Sequence, residues 1–175
     1  QQKLEGFDRT SLAPKPINVD VQTDDILPGL NLTYFVNENT NLRISASQTV
    51  SRPELRELAP FGYVDFVTDG DVSGNPDLKS CLIQNYDVRY EVFPAAGEIF
   101  SVSAFYKHFN SPIERVIVPT ITTPAPAYTF ENAEDGAVNY GIEIEIRKNL
   151  GFLSRNLTNF LINGNIAFIN SQVDL

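Results

Sequence analysis

Four groups of residues in this chain are of a type that could do chemistry. Glu143 and Glu145 lie two apart. On a strand they share a face at roughly 6.6–7 Å, close to the separation of an inverting glycosidase pair. They sit midway along a regular alternating segment with Arg147 beside them, so lining a polar surface accounts for them better than acid–base work does. Asp69-Gly70-Asp71-Val72-Ser73-Gly74 opens like a calcium loop, but its twelfth position is Ser80 where a bidentate Glu is required, and a polar turn is the better reading. Cys81 and His108 are each alone in their residue type. That excludes an internal disulfide and all-cysteine or all-histidine metal sites. No nucleophile, base and oxyanion set can be assembled, so the chain reads as a non-enzyme, with no cofactor and no metal.

The elements that carry these residues are strands. In Ala137–Lys148, Val138, Tyr140, Ile142, Ile144 and Ile146 fall on one parity, and Asn139, Gly141, Glu143, Glu145 and Arg147 on the other. Successive strand side chains point to opposite faces, so this is a strand with one apolar and one charged face. Ten residues span roughly 33 Å, enough for a tilted membrane strand or a long soluble one. The same alternation predicts strands near 28–36, 41–51, 81–93, 98–109 and 158–170. The turn Asn37-Glu38-Asn39-Thr40 joins the first pair, since Asn tolerates left-handed backbone and bonds its own main chain. Pro94–Gly97 joins the second pair and Asn149–Leu157 the third.

Two long connections interrupt the series. In 52–80, Ser51-Arg52-Pro53-Glu54 has the pattern of a capping box with proline in the first turn, predicting a short helix over Arg52–Leu58. An aromatic-bearing loop follows, with Phe61, Tyr63 and Phe66. The stretch 110–136 holds four prolines and room for a short β segment at Ile113–Val118. Residues 1–25 read as the end of an earlier strand and a loop, and 26–175 as the main unit. Composition narrows the partners. With 22 acidic against 13 basic residues and a net charge of −9, the chain is unsuited to nucleic acid. No run approaches 18 apolar residues, so no transmembrane helix is expected. No signal peptide can be read, and the absence of an initial methionine points to a processed chain or a piece of a longer one.

Short and long connections thus alternate between two-faced strands. A soluble sandwich turns its polar face to water; an outer-membrane barrel turns its apolar face to lipid and its polar face to a wet lumen, with short turns at one rim and long loops at the other. On the barrel reading Arg43, Asp87, Arg89, Glu143, Glu145 and Arg147 face the lumen. Tyr34, Phe93, Phe100, Tyr106 and Phe160 suit interfacial girdles.

Ile26–Leu32, Asn41–Pro53 (NLRISASQTVSRP), Gly74-Asn75-Pro76-Asp77-Leu78-Lys79, and Asn132-Ala133-Glu134 before Tyr140–Glu145 resemble, in this order, the signatures of TonB-dependent outer-membrane receptors. The resemblance implies an all-β, antiparallel up-and-down meander forming part of a transmembrane barrel, with about six main strands and one short helix in a long loop. It implies a bacterial outer-membrane location, a plug domain of the same full-length chain, indirect energy supply from the TonB complex, contact with outer-membrane lipid, and a small nutrient ligand such as a siderophore or carbohydrate. Arg52, Phe61, Tyr63 and Phe66 are then extracellular candidates for touching that ligand. The plug, the TonB-binding segment and a closing strand are not recognisable here, so the chain reads as an internal or later portion of such a barrel. A secreted or surface β-sheet binding module for carbohydrate, with the same aromatics as stacking platforms, is the alternative.

The two readings part in water. On the barrel reading, residues 1–175 on their own self-associate or require detergent, because aligned apolar stripes exceed the few hundred Å² a soluble monomer exposes. Sizing chromatography without detergent measures this, and a well-behaved monomer would favour the soluble module.

Overall fold

The computed structural model describes residues 2–8, 15–65, 70–119 and 126–173. Its strands, in chain order, are β1 (Gln2–Asp8), β2 (Lys15–Val21), β3 (Gly29–Asn37), β4 (Thr40–Ser51), β5 (Gly62–Asp65), β6 (Gly70–Ser73), β7 (Cys81–Val92), β8 (Ile99–Asn110), β9 (Ile113–Val118), β10 (Ala127–Asn132), β11 (Ala137–Asn149) and β12 (Leu161–Val173). One helical turn, α1 (Leu55–Leu58), and two 3-10 turns, Leu150–Phe152 and Arg155–Leu157, complete it.

The main sheet has six strands in the order β12-β11-β8-β7-β4-β3, and every neighbouring pair is antiparallel. It is the expected meander, all-β with almost no helix. Tight turns close it at one end. At the first, the Asn39 N–H donates to Asn37 Oδ1 at 2.9 Å, the self-bonded turn that asparagine favours. A register shift between Phe35 and Asn37 absorbs the odd residue. Thr40 pairs with Val92 and Ile99 with Arg147, so all three short turns lie at one end. Ser51 pairs with Cys81 and Ala137 with Phe109, so both long connections leave from the other.

Several expectations shift. Residues 1–25 hold two strands, β1 and β2, in a seven-pair antiparallel hairpin of their own, where one strand and a loop were expected. The helix covers only Leu55–Leu58. Its box is built three residues later than the Ser51–Glu54 pattern, with the Glu57 carboxylate accepting from the Glu54 N–H at 2.7 Å. The last strand starts at Leu161 and not at 158, because Leu150 N–H donates to Phe160 O at 2.9 Å and holds the preceding residues in the turn.

The largest difference is at the long-connection end. There β5-β6-β10-β9 form a second, four-stranded sheet in which β6 and β10 run parallel. The first connection supplies β5 and β6, the second β9 and β10. Gly70–Ser73, read above as a polar turn, is strand β6 with Val72 buried at 1% exposure; Asp69 lies outside the described residues. The deeply buried apolar side chains of the described residues gather here: Leu58 and Leu78 pack together, with Ile113 and Phe130 against them.

The two connections are tied by side-chain amides. Asn75 Nδ2 donates to Phe130 O at 2.9 Å. Asn132 Oδ1 accepts from Lys79 N–H at 2.9 Å, and its Nδ2 donates to Lys79 O at 3.0 Å and Ser111 O at 2.8 Å. Gly74 lies where a Cβ would come 2.3 Å from Ala59 O and 2.7 Å from Glu57 O; both are backbone atoms that cannot swing away, so no side chain fits.

Two substitutions test this latch. Gly74→Val overfills a backbone contact and should cost about 1–3 kcal/mol. Asn132→Leu removes three side-chain bonds to the Lys79 and Ser111 main chain, each worth about 0.5–1.5 kcal/mol. Limited proteolysis of the full-length protein should then cut both long connections together. Cutting confined to one connection would show that they are not held as a unit.

Candidate functional site

Apart from the shift before Asn37, continuous register assigns the side chains of the main sheet to one face or the other. On one face, Leu32, Ile44, Val88, Ala104, Ile142 and Phe168 align across all six strands. Beside them run Tyr34, Leu42, Tyr90, Val102, Ile144 and Ile166. Ile142, midway along β11, is 50% exposed, so no layer of the described residues covers this apolar face.

The opposite face gathers the predicted polar residues. Arg43 and Arg89 are direct cross-strand partners, a like-charge pairing that is unfavourable alone. Glu91 resolves it. Its Oε2 accepts from Arg43 Nε at 2.7 Å and its Oε1 from Arg89 Nε at 2.8 Å, with the carboxylate only 7% exposed. Arg89 Nη2 then reaches Glu145 on β11 at 2.7 Å. Between β7 and β11 lies β8, whose residues in those rows are Ser101 and Ser103; their small side chains leave the long guanidinium room to cross. Ser101 Oγ is buried without a hydrogen-bond partner among the described residues.

The other polar-face residues make local contacts. Asp87 Oδ2 accepts from Ser45 Oγ at 3.3 Å, Glu143 Oε1 from Asn165 Nδ2 at 3.2 Å, and Arg147 Nε donates to Asn163 Oδ1 at 3.0 Å. Glu143 and Glu145 thus have separate partners, which fits surface lining better than a shared acid–base site. Phe105 is one of the aromatics on this face, with Phe35 and Phe109. It lies over Gly141, where a Cβ would fall 2.8 Å from Phe105 Cζ; the missing side chain makes space for the ring. Glu91 was absent from the predicted set although its parity places it beside Arg89. Only the register brings it against Arg43.

At the long-connection end of the polar face a cleft of about 590 Å³ opens, lined among others by Arg52, Glu54, Glu57, Phe109, Glu114 and Asn139. Arg52 Nη2 is held by Asp25 at 2.6 Å. Phe61 and Tyr63 lie outside this lining. Phe61 is exposed, and Tyr63 on β5 carries the Arg56 guanidinium 5.4 Å above its ring. Phe66 is outside the described residues. Cys81 is buried at the cleft wall. His108 falls on the apolar-face parity, in a row with Gln48 and Gln84.

At the short-turn end, Lys148 Nζ donates to Glu98 Oε2 at 2.6 Å and Asn149 N–H to Glu98 Oε1 at 3.2 Å. The bond from Lys148, outweighing the effect of burial, holds the Glu98 carboxyl below its ordinary range.

The arginine–carboxylate chain predicts non-additive energetics. Either Arg43→Ala or Arg89→Ala leaves Glu91 one arginine; the double variant strands it. Chemical unfolding of the full-length barrel in lipid should show the double variant destabilised beyond the sum of the singles by about 0.5–3 kcal/mol. Simple additivity would mean that Glu91 does not couple the two arginines.

Comparison with known proteins converges on one group. A family model described as TonB dependent receptor-like, beta-barrel, matches residues 4–174. An iron-regulated outer membrane virulence protein of Vibrio cholerae is 35% identical over 98 residues, 52% of this chain and 15% of that protein. The siderophore receptor PirA from Pseudomonas aeruginosa superposes with a TM-score of 0.69 at 16% identity, over 85% of this chain and 28% of its own. A mutant ferric enterobactin receptor from the same species, in complex with enterobactin, gives 0.58 at 21%, over 77% and 22%. The chain therefore spans well under a third of each of these relatives. With a matching family model over nearly its whole length and the two-faced antiparallel meander that such a barrel wall requires, the chain belongs to the TonB-dependent receptor β-barrel family of the bacterial outer membrane.

Proposed function

We propose that this chain is barrel wall of a receptor that takes up a scarce nutrient across the outer membrane, and that the nutrient is an iron–siderophore complex. The observation that carries the barrel reading is the uncovered apolar face spanning all six strands. In water such a face is a liability; in a bilayer it is the contact surface. Its height agrees. The polar row of Gln48, Gln84 and His108 bounds it at one end and the Glu98–Lys148 pair at the other. From residue 98 to 108 is ten steps of about 3.4 Å, or roughly 34 Å along the strand. At a tilt of about 35–45° that projects to roughly 24–28 Å, against an apolar band of about 25 Å.

The short-turn end is then periplasmic and the four-stranded sheet extracellular. The polar face, with Arg43, Asp87, Arg89, Glu143, Glu145 and Arg147, faces a lumen occupied by the plug domain of the full-length protein, through which the TonB complex acts. Arg52 at the cleft, and Phe61 and Tyr63 in the first long connection, are the residues offered to the ligand, with Phe66 added on sequence alone. The siderophore assignment is supported by the names of the relatives, each concerned with iron or siderophores; none concerns carbohydrate. Binding and passage, without bond breaking, is the chemistry this surface supports.

Uptake of radiolabelled iron–siderophore by cells carrying or lacking the full-length gene tests the function: the expected result is uptake that needs both the gene and TonB. Retention of iron uptake with loss of carbohydrate uptake would reassign the ligand. The membrane face is tested by one pair of neighbours. Ile144→Lys, near mid-bilayer, should cost about 2–4 kcal/mol and block assembly, whereas Glu143→Lys, on the lumen side, should assemble normally. Heat-modifiable migration of outer-membrane fractions reads both, and equal assembly of the two would remove the face assignment.

A further inference from the structure

The periplasmic end of β11 and β12 carries a feature that uptake does not use. Lys148 has the parity of Ile144 and Ile146 and pairs with Ile162 on β12, so it projects from the apolar face. A lysine there needs a reason, because a charge on a lipid face is costly away from the interface. Two local contacts hold it: the 2.6 Å bond to Glu98, itself only 8% exposed, and the Phe152 ring, whose centroid is 5.7 Å from Nζ. An ammonium has three donors; Glu98 takes one, and the side chain remains 36% exposed. Around it stand apolar side chains with no protein cover: Phe152 and Leu153 at 65% exposure and Phe160 at 58%. Such groups in a turn are unexpected for a water-facing segment. They continue the apolar face past the Phe100–Ile146 row.

We propose that Lys148, Phe152 and Phe160 form a headgroup site for one phospholipid of the periplasmic leaflet, with the Lys148 ammonium donating to the lipid phosphate. The proposal rests on the barrel reading given above. Depth, charge and continuity select this occupant. The ammonium lies at the edge of the apolar band, where phosphates lie; an anionic oxygen is the complement of its outward donors; and the neighbouring rings suit the glycerol and first methylenes, as aromatic residues do at membrane interfaces. Glu98 keeps the ammonium in place and is the positioning residue.

The test uses the full-length receptor, purified from outer membranes in detergent and stripped of lipid. Native mass spectrometry then follows the addition of phosphatidylglycerol or of diacylglycerol with the same acyl chains. Wild type should retain one phosphatidylglycerol and release diacylglycerol. Lys148→Gln should weaken retention about tenfold, the loss of one charge-assisted hydrogen bond. Because that change leaves Glu98 without its cation, Glu98→Gln/Lys148→Gln is measured as well and should show the same loss. Lys107→Gln, which removes a cation from the other face, should bind as wild type. Equal retention by all variants, or retention of diacylglycerol as strong as that of phosphatidylglycerol, would overturn the headgroup site while leaving the barrel intact. Failure of the wild-type protein to reach the outer membrane would overturn both.

Discussion

One parity rules this molecule. Six antiparallel strands in continuous register force alternate residues onto two faces, and a slip of one residue would carry every isoleucine of β11 to the charged side. The backbone ladder holds the sheet together, since no further layer of the described residues packs against either face. Stability of the wall is therefore shared between main-chain hydrogen bonds and the medium on each side. Charge is confined to the face where it can be solvated or paired, and the one lysine that breaks the rule sits at the margin with a carboxylate and a ring for company.

What the wall lacks in core, the far end supplies. The long connections fold on each other, burying Leu58, Val72 and Leu78 and fastening their backbones through Asn75 and Asn132. This explains the motifs that carried the resemblance. Gly74 permits a backbone contact that no other residue allows, Asn75 bonds across to β10, and Asn132 bridges both connections. They are structural fasteners, and their spacing reflects where the two connections meet.

Legibility followed the length of the pattern. The six long strands stood out because nine or more residues of alternation leave little room for another period, and their turns carried asparagine, proline and glycine. The second sheet was hidden. Its strands β5 and β6 have four residues each, too few for a period to declare itself. Its central pairing is parallel and joins residues more than fifty positions apart, such as Asp71 and Ala127. The capping box was misplaced because Ser51 continues β4 and does not start a helix, leaving the cap to Glu54. On the polar face, parity identified Arg43, Arg89 and Glu145. The link through Glu91 depends on cross-strand register, which a single strand's sequence does not contain.

The asparagine fasteners also set the terms on which the two long connections can change. Two surface loops that hung independently could diverge one at a time, each trying new residues at small risk. Here β6 from one connection is the hydrogen-bonding neighbour of β10 from the other, and Asn132 binds the main chain of both. An insertion in either must be answered in its partner or the shared sheet opens. The two connections are thus one mechanical unit, with the room for change lying in the stretches between their strands and not in the strands themselves.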